Sequence, residues 1–158
     1  YFGCYIFWII GHLYNAAMDK RHCYRFLMAD WLAKAVCFIC YVVYPTTNTR
    51  PEIVGSDIWA QLMRFLYSMD AADNLFPSIH CLVSWLCYIG IRGNKKVPQW
   101  IRTTFCICAI AVFISTLTTK QHVIYDVVAG VALVEVTYRV SKLIVKKAVK
   151  KGKSNTEA

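Results

Sequence analysis

A histidine and an aspartate near the end of the chain have the spacing that points most directly to chemistry. His122 and Asp126 are four residues apart, a separation that places both side chains on one face of a helix. A carboxylate so placed accepts a hydrogen bond from one ring nitrogen, which fixes the tautomer and leaves the other nitrogen free to attack. The spacing fits a nucleophilic histidine, and it fits equally a structural pair that bonds across helices.

A second polar cluster lies at the predicted start of another helix. Ser78 follows Pro77 as a candidate N-cap, so that His80 falls in the first turn. Free N–H groups at a helix N-terminus attract an anion. Ser78 can add a hydroxyl donor there, and His80 can give a proton to a leaving oxygen. Taken alone, this cluster favours a plain capping role for Ser78.

The third feature is Arg50, which precedes Pro51 at the end of an apolar segment. A guanidinium binds phosphate in a two-pronged geometry that lysine does not reproduce. Taken alone, Arg50 fits an interfacial arginine bound to lipid head groups. Together, the three clusters supply what metal-free phosphoryl transfer through a phosphohistidine requires. No carboxylate cluster suited to magnesium lies beside them in the sequence, so we predict no metal and no other cofactor.

These clusters resemble, in order and spacing, the three signature motifs of the type 2 phosphatidic acid phosphatase superfamily. The residues that carry the resemblance are Arg50-Pro51, Pro77-Ser78-Ile79-His80, and Ser115 with His122 and Asp126. The family includes bacterial undecaprenyl-diphosphate and phosphatidylglycerolphosphate phosphatases, and it shares its motifs with vanadium-dependent haloperoxidases. The resemblance covers the chain from the second apolar segment to the fifth.

The resemblance implies a role for each motif residue. It implies that His122 is the nucleophile, that Asp126 orients it, and that His80 protonates the leaving alkoxide. The positions that the resemblance places on or close to the phosphate are Arg50, Ser78 and Ser115.

The chain departs from the family pattern at two positions. The family usually has a lysine seven residues before the arginine of the first motif, where this chain has Val43. It usually has an arginine after the serine of the third motif, where this chain has Thr116. We expect Lys120, two residues before His122, to replace one of the two missing charges at the phosphate.

Apolar segments separate the polar clusters and must position them. Of the 158 residues, 58% are hydrophobic and 17% are charged, whereas a soluble domain has roughly a quarter charged residues. The apolar segments cover residues 1–18, 29–44, 78–91, 97–117 and 122–145. Several approach the length of about 20 residues that a membrane span needs. We therefore predict an all-α, multi-spanning transmembrane helix bundle.

The sequence also predicts the number of spans and the limits of the transmembrane domain. Five spans are visible and the family typically has six, so we expect an N-terminal helix to be missing from the chain. Residues 1–150 are predicted to form a single transmembrane domain, followed by a polar, disordered tail at residues 151–158. Residues 56–69 have apolar side chains at helical spacing, which predicts an amphipathic helix on the outer membrane surface or over the site.

The charge distribution predicts orientation. Five spans place residues 19–30, residues 92–102 and the lysine-rich tail on one side, and all three are basic. The link over residues 45–77 has two arginines against four acidic residues and falls on the other side. Because positive charge favours the cytoplasm, the polar clusters are expected at the non-cytoplasmic face. The net charge of +9 is thus assigned to topology and anionic lipid head groups, and not to nucleic acid.

The favoured function is a metal-independent phosphatase, a phosphoric monoester or diphosphate hydrolase that acts on lipid phosphates through a phosphohistidine. An alternative is a phosphotransferase of the same superfamily that passes the phosphoryl head group to an alcohol. Another is a non-catalytic membrane protein that binds lipid phosphates. The predicted partners are the lipid substrate and the bilayer, with no prediction for the oligomeric state. The motifs favour a bacterial cytoplasmic membrane, with the active site facing outward.

Overall fold

Six helices make up the part of the chain that the structure describes. The computed structural model describes the backbone of residues 1–156 and the side chains of residues 1–149. The helices are α1 (Gly3–Ala16), α2 (Lys20–Val43), α3 (Ile58–Met69), α4 (Ile79–Arg92), α5 (Gln99–Thr118) and α6 (Ile124–Thr156). Within these residues there is no strand, and a single isolated bridge pairs Thr47 with Asp73. The predicted all-α class is confirmed.

The central element is α4, which packs against α1, α2, α5 and α6. Ten of its fourteen residues are buried. Leu82 and Leu86 are fully buried in a cluster that includes Phe26 of α2 and Val134 of α6. Ser78 caps the helix by accepting a hydrogen bond from the backbone N–H of Cys81. A helix surrounded on its sides in this way holds its two ends at fixed positions in the bundle.

Two helices, α2 and α5, are long and apolar enough to cross a membrane. Only 28% of the apolar window of α2 and 22% of that of α5 is buried, which differs from the mostly buried core helix of a soluble protein. The apolar helix α4 is shorter, at fourteen residues. The structure thus provides two clear candidate spans, and the larger number of spans stays a prediction.

The predicted segments correspond to the observed helices, with differences at their ends. The start of α2 lies at Lys20, before the predicted start at residue 29, because Asp19 caps the helix and charged residues form its first turns. The amphipathic helix expected over residues 56–69 is observed as α3. The last helix continues to Thr156, through most of the predicted tail. Residues 157–158 of that tail lie outside the described residues, and its disorder stays a prediction.

The α2–α4 link and the α5–α6 turn meet at one end of the bundle. The Asn48 side-chain amide donates to the carbonyl of Lys120 at 3.1 Å, and the Tyr67 hydroxyl donates to the carbonyl of Thr119 at 3.1 Å. We call this end, which carries residues 45–78 and 119–123, the site end. The α1–α2 and α4–α5 connections lie at the opposite end, where the Asn94 amide reaches Met18.

Candidate active site

His122, Asp126 and His80 form one buried cluster at the site end. Nδ1 of His122 lies 3.4 Å from the Asp126 carboxylate, and Nε2 lies 3.4 Å from Nδ1 of His80. All three residues are less than a tenth exposed. The spacing of four residues thus brings the aspartate to the histidine, as the sequence predicts. It is the fold that adds the second histidine, from another helix, on the opposite side of the ring.

The α5–α6 turn holds the backbone of His122. The carbonyl of Thr116 accepts hydrogen bonds from the backbone N–H groups of Gln121 and His122, at 2.9 and 3.2 Å. Lys120 adopts a left-handed conformation, with φ of 56°, which reverses the chain. Asp126 stabilises the start of α6, since its carboxylate accepts a hydrogen bond from the N–H of Val123 at 3.0 Å. The same carboxylate therefore fixes the helix start and contacts the imidazole.

A close approach between α4 and α6 brings the two histidines together. The N–H of Ser78 donates to the carbonyl of Asp126 at 3.1 Å. A Cβ atom at Gly130 would lie 2.6 Å from the carbonyl oxygen of Ser78, so only glycine fits at this crossing. Gly130, four residues after Asp126, therefore permits the close packing of α4 and α6. Ser78 is fully buried, and its hydroxyl accepts from the N–H of Cys81 at 3.3 Å as an N-cap.

His80 has neighbours that the sequence alone does not reveal. Its Nε2 lies 2.6 Å from the hydroxyl of Tyr1, which donates to the carboxylate of Asp70 at 2.6 Å. The ring of Trp8 lies 5.4 Å from the His80 ring, centroid to centroid. Asp70 is also 3.9 Å from Nε2. The cluster thus has a carboxylate at each end, Asp126 beside one histidine and Asp70 beside the other.

Arg50 is bound to the site end by most of its donors. Its two terminal nitrogens donate to the backbone carbonyls of Tyr67, Asp70 and Ala71 and to the side-chain oxygen of Gln121. The guanidinium also lies 4.6 Å from the centre of the Tyr67 ring. Of its five N–H groups, the one on Nε is buried and has no partner among the described residues. Arg50 therefore fastens the α2–α4 link to the residue before His122.

An open cavity of about 800 Å³ adjoins the cluster. Its lining includes Arg50, Lys120 and His122, together with the apolar or aromatic side chains of Ile124 and Tyr125. Lys120 is exposed, and none of the described carboxylates pairs with its ammonium group. Both cations proposed from the sequence, one from each connecting segment, thus reach the cavity that His122 lines.

The structure places Ser115, one of the predicted site residues, outside the lining of the cavity beside His122. Its carbonyl accepts hydrogen bonds from the backbone and hydroxyl of Thr119. Its hydroxyl has no hydrogen bond among the described residues, and it does not line the cavity beside His122. Ser115 therefore supports the end of α5, and its predicted place beside the phosphate stays a prediction.

The two positions that depart from the family pattern differ in their surroundings. Val43 is 76% exposed on the last turn of α2. Thr116 is fully buried beneath the α5–α6 turn, where its hydroxyl donates to the carbonyl of Phe113 and lies 3.7 Å from the sulfur of Cys81. A threonine suits this enclosed position because its hydroxyl bonds locally.

Burial controls the charge state of His122. Removal from water lowers the pKa of this imidazole, and the nearby Asp126 carboxylate offsets only part of the effect. The pKa therefore lies below its ordinary value, and the ring is neutral at pH 7. A neutral imidazole has the lone pair that a nucleophile needs. Among the described residues, no group of three or more His, Cys, Asp or Glu side chains is placed to hold a metal ion.

Comparison with known proteins identifies the family. The sequence profile of the PAP2 superfamily matches residues 3–140, which include every residue of the cluster and of the cavity. No curated protein and no solved structure matches the chain. The family match suggests phosphatase-type activity in general terms, and together with the two apolar helices it suggests a membrane protein. The chain belongs to the PAP2 superfamily.

Proposed function

We propose that the protein is a membrane-embedded phosphatase that hydrolyses lipid phosphates or diphosphates through a phosphohistidine on His122. The observation that carries the proposal is the position of His122 between two groups of different chemistry. Asp126 contacts its Nδ1, and His80 contacts its Nε2. The site offers a neutral nucleophile, a carboxylate that orients it and a second imidazole for acid catalysis.

The reaction proceeds in two steps. Nε2 of His122 attacks phosphorus, the bond to the ester oxygen breaks, and His80 gives its proton to the leaving alkoxide. Water then attacks the phosphohistidine, His80 takes a proton from that water, and phosphate departs as His122 is restored. The two imidazole nitrogens are at contact distance, 3.4 Å, so one ring must rotate to admit the phosphoryl group between them.

Charge for the phosphate comes from three sources. Lys120 is exposed in the cavity and its ammonium group is available to a ligand. Arg50 adds a fixed positive charge, although most of its N–H groups bind the protein itself. The N-terminus of α4, beside His80, adds the partial positive charge of a helix end. This arrangement supports phosphate binding without the two cations that are absent at Val43 and Thr116.

The cavity has an apolar side that supports a lipid substrate. Val123, Ile124 and Tyr125 are at least half exposed and lie next to His122 in the chain. A phosphate on Lys120 and His122 would leave the hydrophobic part of the substrate against these side chains. Soluble phosphate esters have no such part, so their contacts would be confined to the charged groups.

A membrane location is supported by the surface of the bundle. Large apolar side chains are more than half exposed on the flanks of the helices, where a bilayer can cover them. They include Ile6, Ile9 and Leu13 of α1, Trp31, Phe38 and Val42 of α2, Ile107 and Ile114 of α5, and Val128, Val136 and Leu143 of α6. The positive-inside pattern supports an outward-facing site. We propose this orientation, in a bacterial cytoplasmic membrane, as part of the function.

The first test is phosphate release from a panel of lipid phosphates in detergent, with EDTA present. We expect release by the unsubstituted chain and a loss of at least a thousandfold in His122→Ala, because no nucleophile remains. His12→Ala is the matched control, since His12 contacts Asp30 and not the cluster, and it should retain turnover. Equal activity of His122→Ala and the unsubstituted chain would refute the nucleophile.

A second substrate separates the two histidines. In His80→Ala, hydrolysis of a lipid alkyl phosphate should fall strongly because the alkoxide lacks its proton donor. Nitrophenyl phosphate has a leaving group that needs no proton. On this substrate, His80→Ala should therefore keep most of the rate of the unsubstituted chain. His122→Ala should stay inactive on both. Loss of both activities in His80→Ala, in a protein that is still folded, would contradict the acid role.

A further inference from the structure

The opposite end of the bundle contains a second cavity, far from the histidines. It has a volume of about 680 Å³ and opens between α2, α4 and α6 and the α4–α5 connection. Arg92, in its wall, and His80 lie at the two ends of α4. A helix of fourteen residues is roughly 20 Å long at about 1.5 Å per residue. The two cavities are therefore separate sites.

Positive charge dominates the wall of this second cavity. Its basic residues come from three helices and one loop, and they are Arg21, Arg25, Arg92, Lys95, Arg139 and Lys142. The acidic residues in the wall are Asp19 and Glu135. The wall is thus strongly positive, and like charges brought together from four segments destabilise one another unless an anion joins them.

The two carboxylates in the wall are already engaged. Glu135 accepts two hydrogen bonds from Arg92, at 2.7 and 3.0 Å, and one from the indole N–H of Trp85 at 3.0 Å. Asp19 accepts from the backbone N–H of His22 at 3.0 Å as the N-cap of α2. Neither carboxylate hydrogen-bonds Arg25 or Lys95 among the described residues. Arg139 lies 3.9 Å from Glu135. The cations of the wall that pair with no carboxylate among the described residues, and are available to a ligand, are therefore Arg21, Arg25, Lys95 and Lys142.

Arg25 gives the strongest indication that this wall binds an anion. Its guanidinium lies 5.5 Å from the centre of the Tyr138 ring, within the range of a cation–π contact. Its Nε is buried and has no hydrogen-bond partner among the described residues. A buried N–H without an acceptor costs free energy. The terminal nitrogens of Arg25, which lines the cavity, also have no hydrogen-bond partner among the described residues, and an oxyanion in the cavity would supply acceptors for them.

We propose that this cavity is a second anion site, which binds a phosphate group through Arg25 and the neighbouring cations. The ligand chemistry is a phosphate dianion with unesterified terminal oxygens, because planar guanidinium groups bind such oxygens in pairs. Two sources have this chemistry: a lipid head group that ends in a phosphomonoester, on this side of the membrane, and free inorganic phosphate. The site is distinct from His122 and needs no turnover.

The test measures ligand-dependent thermal stability of the full chain in phosphatidylcholine nanodiscs. Every protein carries His122→Ala, so that no probe is hydrolysed. The cavity variant adds Arg25→Gln with Arg139→Gln. The matched control adds Lys146→Gln with Lys147→Gln, which remove the same charge from exposed positions of α6 outside the cavity. The probes are inorganic phosphate against chloride at equal ionic strength, and nanodiscs that contain phosphatidic acid.

We expect the control to gain stability with at least one probe, and the cavity variant to require at least tenfold more of that probe for the same gain. A response to inorganic phosphate identifies the free anion as a ligand, whereas a response to phosphatidic acid alone identifies the lipid head group. An equal response of the two variants, or no response of the control to either probe, would overturn the proposal. If the first cavity variant does not fold, Lys95→Gln with Lys142→Gln replaces it in the same comparison.

Discussion

His122 has a different neighbour on each of its ring nitrogens, and this difference supports its proposed role as the nucleophile. A carboxylate at Nδ1 favours a proton on that nitrogen, which leaves the lone pair on Nε2, the atom next to His80. The order of the groups is Asp126, His122, His80, Tyr1 and Asp70. Because the oxygen of Tyr1 donates its proton to Asp70, it can accept one from His80. Asp70 thereby becomes a candidate for holding the acid in place.

The acid limb of the pH–rate profile should report His122. Its pKa is lowered by burial, so we expect the midpoint of the acid limb of kcat/KM below pH 6.5, where the neutral ring becomes protonated. Asp126 raises this pKa, so Asp126→Asn should move the limb to still lower pH while it reduces the rate at pH 7. Rates measured with one lipid phosphate across about pH 4–8, a range that brackets the ordinary histidine pKa, would check both. A limb above pH 6.5 would contradict the neutral nucleophile.

Lys120 should affect substrate binding more than chemistry. We expect Lys120→Gln to raise KM roughly fivefold, the effect of about 1 kcal/mol for an exposed ion pair, and to change kcat by less than about twofold. Lys120→Arg should restore KM, since it keeps the charge. Lys146→Gln, at an exposed position elsewhere on α6, should leave both constants unchanged. A fall in kcat at constant KM would give Lys120 a role in the transition state instead.

At the level of residues, contacts between neighbours in the sequence could be predicted from their spacing, whereas contacts between distant segments could not. The pairing of His122 with Asp126 follows from a separation of four, and the capping by Ser78 follows from its place before a helix. Tyr1 and Asp70 reach His80 from other segments, and nothing in their own surroundings marks them. Gln121 was visible beside His122, but its bond to Arg50 depends on how two connecting segments meet.

At the level of elements, the crossing of α4 and α6 decides the geometry of the site. Ser78 and Asp126 are joined there by a backbone hydrogen bond, and Gly130 leaves the space for it. The apolar segments at residues 78–91 and 122–145 of the sequence predicted these two helices. The start of α2 was predicted too late because charged residues can form helical turns when a cap such as Asp19 precedes them.

Gly130→Ala should disturb this crossing. The new methyl group would lie 2.6 Å from the Ser78 carbonyl oxygen, which forces α4 and α6 apart and should cost about 1–3 kcal/mol of stability. Turnover by the folded protein should also fall, by more than the loss of folded protein explains, because the two histidines separate. Gly93→Ala is the matched control, since a Cβ there meets nothing within 4 Å. Thermal unfolding and phosphate release, measured on both variants, would check this. A fully active Gly130→Ala protein would show that the histidines tolerate a wider crossing.

At the level of the whole molecule, the bundle has two chemically different ends. The site end joins the α2–α4 link to the α5–α6 turn through Asn48, Tyr67 and Arg50. The other end carries the basic wall, with Arg92 bound to Glu135. Charge bias in the sequence predicted this separation without any motif. It did not predict the cavities, because their shapes depend on how far the helices stand apart.

The two ends should face opposite sides of the membrane. We expect a cysteine introduced by Ser56→Cys to react with a membrane-impermeant maleimide on intact cells. A cysteine introduced by Lys147→Cys should react only after permeabilisation, because positive segments stay in the cytoplasm. Both positions are exposed, and the unsubstituted chain measures the background from its eight native cysteines. The reverse labelling pattern would place the histidines on the cytoplasmic side.

The exposed side chains of Val123, Ile124 and Tyr125 beside His122 have a kinetic consequence. If the cavity admits its ligand along this apolar flank, the ligand arrives by diffusion within the bilayer and not through the aqueous phase. The rate would then follow the mole fraction of substrate among the surrounding lipids. Adding inert phospholipid at a constant bulk amount of substrate would slow the reaction by surface dilution, and stirring or adding aqueous volume would leave it unchanged.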